Sequence, residues 1–182
     1  MTAQLENRIM MTLIGVGFVS NFAVSFIGWL FPPLSYPQMT CWQIADSMAV
    51  MASVLMTRYA GSRSQNIAAA GFTMLAIAYG ISFGSSNMNA INVEKMAMVV
   101  LPLVPATFLI SFCRLFPLWL RYGSLLIVVP FFFMYKHVIE GTYAHDDLAN
   151  AFAYMGLQIL GLLWFVFALK DYRRQQMTSN NS

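Results

Sequence analysis

Six apolar blocks, each close to the length of a membrane-crossing helix and separated by short polar joints, limit what this chain can become. They lie at 10–30, 41–57, 67–83, 96–112, 118–134 and 148–169. A spanning helix needs about 20 mainly apolar residues, and about 17 suffice for the shorter ones. Inside hydrocarbon the backbone has to satisfy its own amides and carbonyls, which drives such blocks into helices. The expectation is an all-α polytopic membrane bundle of six transmembrane helices, one domain over 1–172 with a flexible cytoplasmic tail over 173–182. Charged residues are 9% of the chain, against about a quarter in a soluble domain. That composition excludes a soluble globule and a disordered chain alike.

The joints carry turn chemistry. FPPLSYP, with Pro32, Pro33 and Pro37, lacks the amide donors to continue a helix, so the first span ends before it. Thr40 and Gln43 have the spacing of a capping box for the second. GSRSQN at 61–66 is a tight polar turn, GSSNMNAIN after Phe83 a longer one, and CRLFP at 113–117 joins two antiparallel neighbours. With both termini cytoplasmic, the inner side receives Arg8, Arg58, Arg63, Arg114, Arg121, Lys170, Arg173 and Arg174, and the outer side only Lys95 and Lys136. That asymmetry obeys the positive-inside rule and argues for a multi-pass protein of the cell membrane. Trp29 and Trp42 fall near the outer interface, Trp119 and Trp164 near the inner one.

Irregularities are expected in three places. Pro102 and Pro105 in the fourth block and Pro130 in the fifth each remove an internal amide and crowd the preceding turn, which kinks a helix. Gly80 and Gly84 form a small-xxx-small face suited to close helix contact. The second block carries Gln43, Asp46, Ser47 and Ser53, and a five-span variant would make it re-entrant. The 14 methionines offer soft packing or binding surface.

Asp46 is the sharpest residue, the one acid inside an apolar block. A carboxylate there is costly unless it is hydrated, paired or protonated. Gln43, three residues earlier, shares its helix face, and Asn21 of the first block is a partner across the bundle. Together they form the candidate transport or substrate-binding site, against the simpler role of a structural hydrogen-bond hub. A second polar group follows the fifth block: His137 and Glu140, then His145, Asp146 and Asp147. Imidazole and carboxylate suit a divalent metal, but Asp146 or Asp147 also suits the cap of the sixth helix. With Glu94 these acids would favour the approach of cations to the outer face. Whether a metal binds is left open by the spacing.

Other chemistries lack their residues. Both histidines map outside the spans, which removes an axial haem pair, and no GxSG segment supports intramembrane serine proteolysis. Cys41 and Cys113 map to opposite sides and cannot form a disulfide. P-loop, Rossmann and HExxH patterns are missing, and the last block holds no buried lysine for a retinal. In size and span count, though in no residue motif, the chain resembles the substrate-binding components of energy-coupling-factor vitamin transporters, which implies capture of a small metabolite near the outer face. The leading expectation is a small transporter or channel, in one version the binding component of a multisubunit system, handling a cation or small polar molecule. The alternatives are a non-catalytic subunit of a larger complex and an integral membrane enzyme acting on lipid; an enzyme is the less favoured. Expected partners are membrane lipids, protein subunits and the small polar ligand or cation, with no nucleic acid and no cofactor.

Overall fold

The computed structural model describes residues 3–33, 35–85, 93–142 and 148–180. Among them the chain forms seven helices: α1 Ala3–Gly28, α2 Tyr36–Ser62, α3 Asn66–Ser85, α4 Val93–Ile110, α5 Leu118–Leu126, α6 Val128–Ile139 and α7 Leu148–Asn180. Five segments are long and apolar enough to cross a membrane: Leu5–Gly28, Tyr36–Ser62, Asn66–Gly84, Leu118–His137 and Phe152–Thr178. The protein is therefore an all-α, multi-pass membrane bundle. The fourth apolar block falls on α4, whose apolar stretch Leu101–Ile110 is shorter.

Helix ends follow from local chemistry. α1 stops at Gly28, ahead of the prolines as expected. α2 begins earlier than the Thr40–Gln43 spacing predicts. Its N-cap is Ser35, whose Oγ accepts from the Gln38 amide at 3.5 Å. Pro37 is accommodated in the first turn, where its missing amide has no intrahelical acceptor to lose. Thr40 is already inside the helix, its hydroxyl donating to the Tyr36 carbonyl at 2.9 Å.

The turn at 63–65 closes α2 with two crossed bonds, Gln65 N–H to Ala60 O at 2.9 Å and Ser64 N–H to Gly61 O at 3.0 Å. Ser64 takes φ 57°, the left-handed conformation this termination requires. The second block is thus a continuous 27-residue helix, long and apolar enough to cross a membrane. Ser47 is absorbed locally, its hydroxyl donating to the Gln43 carbonyl at 2.9 Å.

The internal prolines leave different marks on the helix assignment. α4 runs as one helix through Pro102 and Pro105. The fifth span breaks at Ile127 into α5 and α6, three residues before Pro130. A proline ring collides with the carbonyl four residues back, here that of Leu126, so the break appears upstream of its cause. α7 continues through Tyr172 to Asn180, so the segment expected as a flexible tail is helical over its described part.

Sequential helices pack closely, and small residues permit it at positions other than those expected. A Cβ added to Gly71 would stand 2.8 Å from the Ile110 amide nitrogen and 2.9 Å from the Ala106 carbonyl; one at Gly17 would stand 2.8 Å from the Met48 carbonyl. Backbones meet at these glycines, α3 on α4 and α1 on α2. Gly80 and Gly84, by contrast, face open space among the described residues.

The core is aromatic at its centre. Phe72 meets Trp164 edge-on at 5.4 Å and Phe116 at 6.4 Å. Trp164 is fully buried, with its indole N–H directed to Ser124 Oγ at 3.3 Å. It is a core residue and not the interfacial anchor expected, whereas Trp119 is exposed. The satisfied indole is what allows that depth.

Candidate functional site

Two polar regions lie on packed faces of the bundle. The first is centred on Asp46. At 1.5 Å per residue it sits about 15 Å along α2 from Tyr36 and about 24 Å from Ser62. Its carboxylate accepts a hydrogen bond from the Ser82 hydroxyl of α3. The pairing follows from the hairpin: Asp46 precedes the end of α2 by as many residues as Ser82 follows the start of α3. Tyr79, one turn from Ser82 and buried, lies within electrostatic range of the carboxylate. Among the described residues no Lys, Arg or His forms an ion pair with Asp46.

Asn21 reaches the same level from α1, but not the carboxylate. Its Nδ2 donates to the Ala45 carbonyl at 3.0 Å in a buried contact. The residue thus ties α1 to α2 immediately beside Asp46. Gln43 is half-buried one turn before Asp46 on the same face.

The sequence reading missed what continues below. Ser53, seven residues after Asp46, and Thr57, eleven after, share its stripe of α2. Ser53 is fully buried and its Oγ has no hydrogen-bond partner among the described residues. Thr57 Oγ1 lies 3.3 Å from Thr73 Oγ1 of α3. Asp46, Ser53 and Thr57 therefore form a line of oxygen groups along the α2–α3 seam. The i, i+7, i+11 spacing was its signal.

The second region gathers where α2 and α7 end. Asp171 Oδ2 accepts from the Tyr59 hydroxyl at 2.7 Å and from Gln175 Nε2 at 3.3 Å, and stands 2.9 Å from Arg63 Nη2. The Arg63 guanidinium also lies over the Tyr59 ring, 5.5 Å from its centroid. Arg58 pairs with Glu6 of α1, Gln65 Oε1 accepts from the Arg114 amide at 3.0 Å, and Arg121 Nε donates to the Ser111 carbonyl at 2.6 Å. These contacts bring the start of α1 and the ends of α2 and α7 to one end of the bundle, hereafter the terminal end. Asp171 was hidden in the sequence by the basic run around it.

Cys113, in the joint between α4 and α5, is buried at this end. Burial pushes its thiol up to about 11; Asp171 adds to the rise, while Arg121 and backbone hydrogen bonds oppose it. The thiol stays protonated near neutrality and is a poor nucleophile.

The polar group that follows the fifth apolar block is described in part. His137 Nδ1 lies 3.0 Å from Thr142 Oγ1, and Glu140 is 3.7 Å from Lys136 Nζ. His145, Asp146 and Asp147 lie outside the described residues, as does the side chain of Glu94. Among the described residues no three metal-ligating side chains come together.

Comparison with known proteins returns no matching protein family, no matching curated protein and no matching solved structure. What this chain can do is read from the chemistry of its own residues.

Proposed function

We propose that the chain is a small membrane transporter or channel in which Asp46 binds a cation, the proton included, or a small polar molecule. The observation that carries this reading is the partnering of Asp46: a hydroxyl from Ser82 and, among the described residues, no cationic side chain. A hydroxyl solvates a carboxylate without neutralising it, and a charged carboxylate at this depth costs about 3 kcal/mol on insertion scales. A bound cation or proton removes that cost. The unpartnered Ser53 hydroxyl and the Thr57–Thr73 pair offer further oxygen positions along the same seam. Gln43 stands one turn towards the start of α2, where a ligand arriving at that end would meet it first. In this reading both termini are cytoplasmic, α4 completes six spans, and the Ile127 break gives the fifth a flexing point.

The test is reconstitution of the full chain into liposomes, with H⁺, Na⁺ and K⁺ fluxes followed separately by ion-sensitive dyes. Flux above that of protein-free liposomes, falling by about tenfold or more in Asp46→Asn, supports the reading, since a charge-assisted contact is worth that much. Equal flux in both proteins sinks the role of Asp46.

Asn21 favours a second reading. Its amide is spent on the Ala45 carbonyl, which is helix packing and not ligand binding. As a non-catalytic subunit, the chain would show no flux, and Asp46→Asn would change which proteins co-purify from native membranes.

A further inference from the structure

A groove of about 950 Å³ opens on the outer face of the bundle between α1 and α7, away from Asp46. Its lining changes character along its length. Towards the middle of the helices the walls are Gly15, Val16 and Val19 of α1 with Phe165 and Leu169 of α7. The floor there is tight, because a Cβ at Gly15 would stand 2.5 Å from the Phe165 ring. At the terminal end the lining becomes Arg8 and Thr12 on α1, and Tyr172, Arg173 and Gln176 on α7. The lining contains no acidic residue.

The two arginines differ from their neighbours. Arg58 and Arg63 have carboxylate partners, and Arg121 donates to a carbonyl. Arg8 and Arg173 are exposed and form no ion pair among the described residues. Glu6, the acid nearest Arg8 in the chain, is taken by Arg58. The tyrosine at the groove's mouth already has a donor, Gln176 Nε2 at 2.7 Å from its oxygen. Among the described residues the cationic charge of this mouth is therefore uncompensated.

Depth matches one leaflet. From Arg8 to Val19 is about 16 Å of helix at 1.5 Å per residue, and half of a hydrocarbon core is about 15 Å. A ligand that is apolar over that depth and anionic at its end fits charge to charge and chain to wall. We propose that the α1–α7 groove is a specific site for one anionic phospholipid, its phosphate held between Arg8 and Arg173 and an acyl chain lying along Val16, Val19 and Phe165.

The full chain in mild detergent is titrated with phosphatidylglycerol and, separately, with phosphatidylcholine of the same acyl chains, and bound lipid is counted by native mass spectrometry. Expected is one retained phosphatidylglycerol under conditions where phosphatidylcholine is lost. The double variant Arg8→Gln, Arg173→Gln weakens retention by about tenfold or more, as removal of two surface cations predicts. Val19→Trp, at a side chain 49% exposed, fills the apolar half and also weakens it. Glycerol phosphate alone does not bind. Because these side chains lack ion-pair partners or lie at the surface, the variants keep the wild-type melting temperature. Equal retention of both lipids overturns the proposal, as does an unchanged double variant, a Val19→Trp protein that binds normally, or a stoichiometric protein partner that displaces the lipid.

Discussion

Asp46 and Asp171 are the two acidic side chains that the described residues hold between packed helices, and they are held in opposite ways. Asp171 has a phenol, an amide and a guanidinium on one oxygen, and its charge is neutralised across the α2–α7 contact. Asp46 has a hydroxyl. A carboxylate that finds its counter-ion within the chain serves the fold. One that is solvated but not neutralised is, in the proposal above, the group that takes a cation or proton from outside.

The largest effect should come from chemistry at the terminal end. Burial pushes the Cys113 thiol up to about 11, so its thiolate fraction near neutrality is about a hundredfold below that of a thiol at 9. In the single-cysteine protein Cys41→Ala, maleimide labelling of Cys113 should be slow, and its rate should keep climbing as pH rises towards about 11. The half-buried Cys41, tested in Cys113→Ala, should label faster. Rapid labelling of Cys113 would mean that the Asp171 end is loose, and the contrast between the two carboxylates would weaken.

Next is Asp171→Ala, which strands Arg63 in a site where it is about one-fifth exposed. A loss of about 2 kcal/mol is expected, read by thermal unfolding in detergent. Asn21→Ala should cost about 1 kcal/mol by releasing one buried bond between α1 and α2. The smallest effect is expected of Asp46→Asn, less than about 0.6 kcal/mol, because an amide can still accept from Ser82. Should Asp46→Asn destabilise as strongly as Asp171→Ala, Asp46 would be a structural hub after all.

Five long apolar helices were legible because block length and the bilayer's demand for internal hydrogen bonding act on local sequence alone. Helix starts were less so: Pro37 looked like a barrier, yet a first helical turn tolerates it, and α2 reaches back to Tyr36. Gly80 and Gly84 carried the expected spacing but no close contact among the described residues, since a spacing says which residues share a face and nothing about what that face meets. Gly71 made the contact without any motif. Trp164 was misjudged for the same reason: its depth depends on Ser124, 40 residues away in the chain. In the candidate site, Asp46 stood out at once as a charge in an apolar block. Ser82 could be assigned only from the hairpin register, and Asn21 donates to the backbone beside the carboxylate.

The clasp at the terminal end also bears on how the protein is made. Tyr59 and Asp171 are separated by 112 positions in the chain, whereas α1 with α2, α2 with α3 and α3 with α4 are neighbours in synthesis. Those hairpins can assemble as each helix leaves the translocon, since domains and their local units fold in the order they emerge. Arg63 has no Asp171 to meet until α7 has been translated. A nascent chain stalled before α7 thus holds Arg63 without the carboxylate that partners it once α7 is in place.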